Sequence, residues 1–283
     1  MFRILFFFIS AVVTTIISLL YIDTIAGIWI IPVAFLVTEF LCFCVLILIS
    51  TLLTLNAGKN STFDKYSKFF HYYLAFCVQY LYSFCRVKVK VEGIEKIPTD
   101  KKFMIVQNHR SNLDPLITFY KLKKYPISMV SKPANFKIPV VGKLMKRNGF
   151  ISINRENNRE AIKSIVRATN QIKNDEFSVF IYPEGTRNKV DTDLLPFKSG
   201  AFKIAQKSNS PIVITVIDGS EKVKKNNPWK STKVTLKILD VIYPENFAST
   251  TEMSSYAENL MANALGVKIK EEKRQETEDQ IAS

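Results

Sequence analysis

KKFMIVQNHRSNLDPLITFYKLKK, residues 101 to 124, holds the pattern that decides the fold. Phe103 to Val106 is a short apolar run with the length of a buried strand, and it ends in a polar loop from Asn108 to Asp114. Pro115 then opens LITFYKLKK as a helix, because proline presets φ and lacks an N–H that would have no partner at that position. Strand, loop and helix in succession make one half of a parallel-sheet unit.

The same grammar continues outward. RVKVKVEGIEKIP (Arg86 to Pro98) alternates valine with charge and then breaks, which reads as a half-exposed strand and a turn. Glu160 to Asn174 is helical by pattern, and FSVFIY (Phe177 to Tyr182) is a second buried strand broken by PEGTR. Phe202 to Lys207 is helical, SPIVITVI (Ser210 to Ile217) is a third buried strand, and KVTLKILDVIY (Lys233 to Tyr243) reads as a late strand pair. These elements predict an α/β body with a mainly parallel sheet flanked by helices. Functional groups in such sheets gather on loops leaving the carboxyl ends of strands, here NHRSNLD and PEGTR. No internal repeat is visible.

Charge and hydropathy divide the chain. Its formal net charge is +14 over 283 residues, yet residues 1 to 58 contain only Arg3 against Asp23 and Glu39. Ile4 to Ile22 and Ile25 to Leu55 are two apolar runs, each long enough for a bilayer core of about 30 Å. Asp23 and Thr24 leave almost no loop between them, and no small-residue cleavage site follows the first run. The pair therefore reads as a transmembrane hairpin rather than a signal peptide. Arg3 before it and Lys59, Lys65 and Lys68 after it put both ends, and the body, in the cytoplasm. Glu39, with no basic residue in the hairpin to pair with, is expected protonated or facing a cavity.

FDKYSKFFHYYLAFCVQYLYSFC (Phe63 to Cys85) is crowded with phenylalanine and tyrosine, a composition suited to an interfacial helix, and His71 is expected within its aromatic surface. Residues 59 to 267 hold 34 basic against 18 acidic groups, a net +16, which would draw that segment to anionic lipid or an acidic partner. The cysteines Cys42, Cys44, Cys77 and Cys85 lie with no metal-type Cys or His cluster and read as free thiols. No nucleic-acid module is recognisable.

His109 is one of two histidines, and Asp114 lies five residues on. The aspartate can simply cap the helix at Pro115. It can instead accept one imidazole N–H, leaving the other nitrogen to take a proton from a hydroxyl. Spacing alone does not choose. Arg155 and Arg187 can be surface ion pairs or anion ligands, since guanidinium forks match phosphate well. Gly185 allows close backbone approach, and its N–H is a candidate oxyanion donor.

NHRSNLDP (Asn108 to Pro115), GFISINR (Gly149 to Arg155), FIYPEGTRN (Phe180 to Asn188) and SPIVITV (Ser210 to Val216) resemble, in this order and spacing, the four motif blocks of the glycerolipid acyltransferase family. Within the family the chain looks like the bacterial-type 1-acylglycerol-3-phosphate acyltransferases. LLPFKSGAF (Leu194 to Phe202) also matches, and the resemblance covers roughly Lys88 to Tyr243. It implies His109 as general base and Asp114 as its orienting partner. It further implies an acceptor-binding set of Arg155, Glu184, Gly185, Thr186 and Arg187, Glu184 orienting Arg187 or an acceptor hydroxyl. SKPANFKIP (Ser131 to Pro139) departs from the family's usual basic and acidic run, and Lys132 and Lys137 remain candidate phosphate contacts. The fourth block lacks a second proline after Pro211.

The resemblance implies direct acyl transfer from acyl carrier protein (acyl-ACP) or coenzyme A (acyl-CoA) to the 2-hydroxyl of lysophosphatidic acid, without metal or cofactor. The expected partners are those substrates and membrane lipid, with no nucleic acid. The expected location is a bacterial-type inner membrane, with a multi-pass anchor and a cytoplasmic catalytic domain. The corresponding segments are a transmembrane hairpin (1–58), an amphipathic interfacial helix (59–85), the acyltransferase domain (86–267) and a charged tail, expected disordered (268–283). The rival readings are an acyltransferase for another lysolipid, or a non-catalytic membrane-tethered binder of anionic lipid or nucleic acid.

Overall fold

The computed structural model describes residues 2–21, 28–58, 61–188 and 193–270. The turn at Asp23 and Thr24, the flanking Lys59 and the tail beyond residue 270 lie outside the described residues.

Two apolar helices come first, α1 (Phe2–Tyr21) and α2 (Ile30–Leu53). The 24 residues of α2 are long and apolar enough to cross a membrane, and α1 is apolar over Phe6–Tyr21. They pack together, with Ser10 Oγ donating to Glu39 Oε1 at 3.0 Å, so the Glu39 side chain has a polar partner on the neighbouring helix. Helix α3 (Lys68–Ser83) begins where Ser67 caps it and runs back along α2. Its Tyr73 hydroxyl lies 2.7 Å from Ser50 Oγ, and its Tyr80 ring stacks on Phe43.

The hairpin side of α3 carries Tyr73, Cys77 and Tyr80, while Phe69 and Tyr72 near the helix start and Leu81 and Phe84 at its end stay exposed. The opposite face contributes Leu74, Ala75 and Val78 to the core. His71 is on that buried side, not in an interfacial surface as the sequence predicted. Its Nε2 lies 3.0 Å from the Lys123 carbonyl, and its ring meets Phe119 on α4 (Asp114–Lys121).

The body contains the strands β1 (Val87–Glu92), β2 (Met104–Gln107), β3 (Ile127–Ser131), β4 (Ile151–Ser152), β5 (Ser178–Ile181), β6 (Asp193–Leu194), β7 (Ile212–Asp218), β8 (Thr232–Ile242) and β9 (Lys268–Ile269). Among the described residues the main sheet has the order β1-β8-β7-β2-β5-β3-β4. From β7 to β4 the strands are parallel; β8 is antiparallel to β7, and β1 is parallel to β8. KVTLKILDVIY proves to be a single strand rather than a pair. It contains no glycine or proline, and it is paired on both sides, by β7 and by β1.

Helices α5 (Pro133–Phe136), α6 (Val141–Arg147), α7 (Asn158–Lys173), α8 (Lys203–Ser208), α9 (Val223–Asn226) and α10 (Thr250–Leu265) complete the body. The period of two along each strand separates two cores. Met104, Val106, Val179 and Ile181 face the layer of α7, α8 and α10, whereas Ile105 and Phe180 face α3, α4 and α6. Fully buried apolar strands of this kind belong to a parallel sheet covered on both faces. β6 and β9 form a small separate pair, so Lys268 and Ile269, expected in a disordered tail, are part of the folded body.

Candidate active site

β2, β3, β4 and β5 point the same way, so the loops that follow them emerge at one edge of the sheet. His109 follows β2, Lys132 and Lys137 follow β3, Arg155 follows β4, and Glu184 to Arg187 follow β5. Parallel topology thus gathers residues more than seventy positions apart in the chain.

Asn108 sets the register of the histidine loop. Its side chain acts as a surrogate peptide group, donating to the Ile217 carbonyl at 2.9 Å and accepting from the Ile217 N–H at 2.8 Å. The backbone is thereby freed to turn while the neighbouring strand stays satisfied. His109 Nδ1 then lies 3.0 Å from Asp114 Oδ2, and Asp114 is fully buried. The same Oδ2 accepts the N–H groups of Arg110 and Ser111, each at 2.7 Å. Asp114 therefore binds the loop before it rather than capping the helix after it. With Nδ1–H given to a carboxylate, Nε2 is the nitrogen with a free lone pair. Ser111 Oγ accepts from the Leu113 N–H, a turn-forming role.

The PEGTR turn supports this loop from the next strand. Glu184 Oε1 accepts the His109 backbone N–H at 2.6 Å, and the Asn188 N–H donates to the His109 carbonyl at 2.7 Å. Glu184, expected to orient Arg187 or an acceptor hydroxyl, thus holds the histidine's own backbone. Tyr182 stacks under the imidazole with ring centroids 4.0 Å apart, limiting rotation of the base. Burial raises the Tyr182 phenol well above its ordinary pKa, and the charges of Asp114 and Glu184 add to this.

The Gly185 N–H, expected as an oxyanion donor, is engaged by the Tyr182 carbonyl at 3.1 Å. Gly185 itself has φ +77, and a Cβ there would lie 3.3 Å from Lys198 Cε and 3.5 Å from Arg155 Nη1. The glycine therefore lets the second and third blocks approach with their cations. Thr186 is exposed and Arg187 half-buried on the same turn. Lys132 and Lys137 are exposed beyond β3, and no hydrogen bond or ion pair ties them to His109 or Glu184 among the described residues. They share the edge without being drawn into the cluster.

Sequence reasoning missed Asn108, Arg110, Tyr182 and Lys198, all inside or beside the quoted blocks. The Arg110 side chain is almost wholly buried, with Nη1 3.5 Å from Asp218 at the end of β7. Its signal was a basic residue between two fixed loop positions, which spacing alone does not distinguish from a solvated arginine.

Burial also pushes the Glu184 carboxyl up to about 7, against the lowering effect of the N–H groups of His109 and Leu195 and of the Arg110 charge; Asp114 adds to the rise. The native state then holds a proton at this site more tightly than the unfolded chain does. Its stabilising contribution is present below about pH 4.5 and is lost as pH rises toward about 7, on the order of 3 kcal/mol in all. Glu184→Gln keeps the acceptor oxygen for His109 but cannot ionise. Its thermal midpoint should fall less than that of the native protein between about pH 5 and 8. Equal falls in both proteins would show that Glu184 carries no such proton.

The acyltransferase family model matches residues 88–218, which include both loops. A chloroplastic 1-acyl-sn-glycerol-3-phosphate acyltransferase of Brassica napus is 32% identical over 189 residues, covering 65% of this chain and 54% of that protein. The 1-acyl-sn-glycerol-3-phosphate acyltransferase of Haemophilus influenzae is 31% identical over 179 residues, covering 61% of this chain and 73% of that one. The chain thus spans about half the length of the plant relative and nearly three quarters of the bacterial one. The crystal structure of the 1-acyl-sn-glycerophosphate (LPA) acyltransferase PlsC from Thermotoga maritima shares the fold, with TM-score 0.56 and 24% identity over 69% of this chain and 80% of that one. Because the family model spans both loops and the bacterial relative is matched over most of its length, the chain belongs to the acyltransferase family.

Proposed function

We propose that this protein transfers a fatty acyl group from a thioester, acyl-ACP or acyl-CoA, to the 2-hydroxyl of 1-acyl-glycerol-3-phosphate, forming phosphatidic acid for phospholipid biosynthesis. The observation that carries the reading is His109 held through Nδ1 by the buried Asp114, with cationic side chains on the same sheet edge. The names of the relatives support the choice of acceptor.

In this mechanism His109 Nε2 takes the proton of the acceptor hydroxyl as its oxygen attacks the thioester carbonyl. The tetrahedral oxyanion collapses with cleavage of the C–S bond, and the departing sulfur receives the proton from the imidazolium. An ester and a free thiol result. The Asp114 carboxylate stabilises the transient imidazolium, and Tyr182 keeps the ring in plane. A thioester is already activated, so the reading assigns no metal or cofactor.

Arg155, Arg187 and Lys198 are assigned to the acceptor phosphate, with Lys132 and Lys137 at the outer edge. Charge-assisted hydrogen bonds contribute roughly 1.5–3 kcal/mol each. Arg155→Ala or Arg187→Ala should therefore raise KM for lysophosphatidic acid about ten- to a hundredfold, and KM for the acyl donor much less. Steady-state kinetics with each substrate varied in turn checks this, and equal rises for both would remove the assignment. The apolar α1 and α2 are assigned as the anchor to a bacterial-type inner membrane, with the body on its cytoplasmic face and access to a lipid-embedded acceptor.

A further inference from the structure

The chain has two tryptophans, and both are turned outward. Trp29 stands at the start of α2, 79% exposed. Trp229 lies in the segment KVKKNNPWKS (Lys222 to Ser231) between β7 and β8 and is 87% exposed, the most open of the large apolar side chains described. Four lysines, Lys222, Lys224, Lys225 and Lys230, share those ten residues with no acidic residue, and all four are exposed. An exposed indole thus stands among ammonium groups. It is the arrangement that suits a lipid interface, where the ring sits at headgroup level and the lysines reach phosphates.

The segment is braced. Val223 is buried against Ile117, Ile217 and Val234, the Asn227 N–H donates to the Val223 carbonyl, and the Lys230 N–H donates to the Asn226 carbonyl. Arg86, just past α3, holds the tip: its Nη1 donates to the carbonyls of Pro228 at 3.1 Å and Trp229 at 3.4 Å. Ser231 Oγ and the Thr232 N–H donate in turn to the Arg86 carbonyl.

That attachment ties the loop to the end of α3. Helix α3 travels along α2 from Ser50, beside Tyr73, to Phe43, beside Tyr80, an advance of about 10 Å toward the far end of the hairpin. The exposed Leu81 and Phe84 belong to its last turn and the residue after it. Trp229 is therefore tied through Arg86 to the end of α3, which carries the exposed Leu81 and Phe84. The loop also leaves the carboxyl end of β7, whose Ile217 is bonded to Asn108 beside His109.

We propose that Lys222 to Lys230 form a second membrane contact, in which Trp229 inserts at headgroup level and the four lysines bind the phosphates of anionic lipids. The contact fixes the tilt of the catalytic edge against the bilayer, which the hairpin alone leaves free to pivot. Its occupant is an anionic bilayer surface. It is independent of the acceptor's identity but rests on the hairpin being a membrane anchor.

Single-tryptophan variants separate these points. Trp29→Phe leaves only Trp229 as indole, and Trp229→Phe leaves only Trp29. Each protein is reconstituted into phosphatidylcholine vesicles with and without phosphatidylglycerol, and emission is read with lipids spin-labelled at the headgroup or deep in the chain. For Trp229 the expected result is a blue shift relative to detergent-free buffer and strong quenching by headgroup label, both larger with phosphatidylglycerol. Lys224→Ala/Lys225→Ala/Lys230→Ala in the same background should abolish that anionic preference. Trp29, quenched by either label, reports the anchor itself. Quenched Trp29 with a Trp229 that stays water-like and open to iodide would overturn the second contact while leaving the anchor intact. A Trp229 response to a soluble acidic acyl carrier protein but not to vesicles would overturn it in favour of a protein partner. Should Trp29→Phe fail to fold, Trp229→Ala in the native background gives the same decision. It should raise KM for acceptor in anionic vesicles and leave KM in detergent micelles unchanged; equal values in both would overturn the proposal.

Discussion

Replacing His109 by alanine should remove nearly all thiol release from acyl donor plus lysophosphatidic acid, a loss of about 10²- to 10⁴-fold from general-base catalysis alone. No other described side chain can take its place. His71, the second histidine, is buried between α3 and α4 with Nε2 at the Lys123 carbonyl, and burial lowers its pKa. Asp114 and Glu184 are covered and committed to the loop backbone. The imidazole is half-buried on the face of Tyr182, so truncation leaves a gap at the rim of the core rather than within it. The variant should fold, which a thermal midpoint near that of the native protein would verify. Native-like turnover in such a folded variant would eliminate the mechanism.

The second large effect is expected at Asp114, where two substitutions separate charge from structure. In Asp114→Asn the amide oxygen can occupy the Oδ2 position and still accept from His109 Nδ1 and from the N–H groups of Arg110 and Ser111. What disappears is the negative charge that stabilises the imidazolium as the proton is transferred. A fall in kcat on the order of 10²-fold or more is expected, with KM for the acceptor nearly unchanged. Asp114→Ala also strips two loop amides of their acceptor, each costing about 1–3 kcal/mol where water does not replace it. Its thermal midpoint should fall as well. If Asp114→Asn turned over like the native enzyme, the carboxylate would be only a loop brace.

The parts of the fold that were legible are those in which local pattern and tertiary role agree. Met104 to Val106 and Val179 to Ile181 are apolar on both faces because parallel strands covered on both sides need no polar side. Pro115 marks the start of α4 for a purely local reason. Shorter or more polar elements escaped: β4 is two residues long and exists because Val130 and Ser131 pair with it. Helix α10 was missed although its signals are present. Ser249 accepts from the Glu252 N–H, Glu252 returns a bond to the Ala248 N–H, and Gly266 ends the helix with φ +65. The modest apolar stripe of TTEMSSYAENLMANAL left those end signals without a periodic centre.

At the site, the histidine and aspartate were legible from their blocks, but their supports were not. The family resemblance put Glu184 in the acceptor-binding set, orienting Arg187 or an acceptor hydroxyl. Only the adjacency of β2 and β5 shows that the Glu184 oxygen meets the backbone N–H of His109. Gly185 likewise suggested an oxyanion donor, whereas its positive φ serves the approach of Arg155 and Lys198 while its N–H closes the turn. Such roles depend on which strands are neighbours, and linear spacing does not encode that order.

Acyl transfer is tested by incubating the purified, reconstituted protein with lysophosphatidic acid and either acyl-ACP or acyl-CoA, while measuring phosphatidic acid by mass spectrometry and free thiol by a chromogenic reagent. Phosphatidic acid and thiol are expected in equal amounts with at least one donor, with acylation at the 2-hydroxyl and neither product from folded His109→Ala. Thiol release without phosphatidic acid, or no product with either donor, would contradict that transfer.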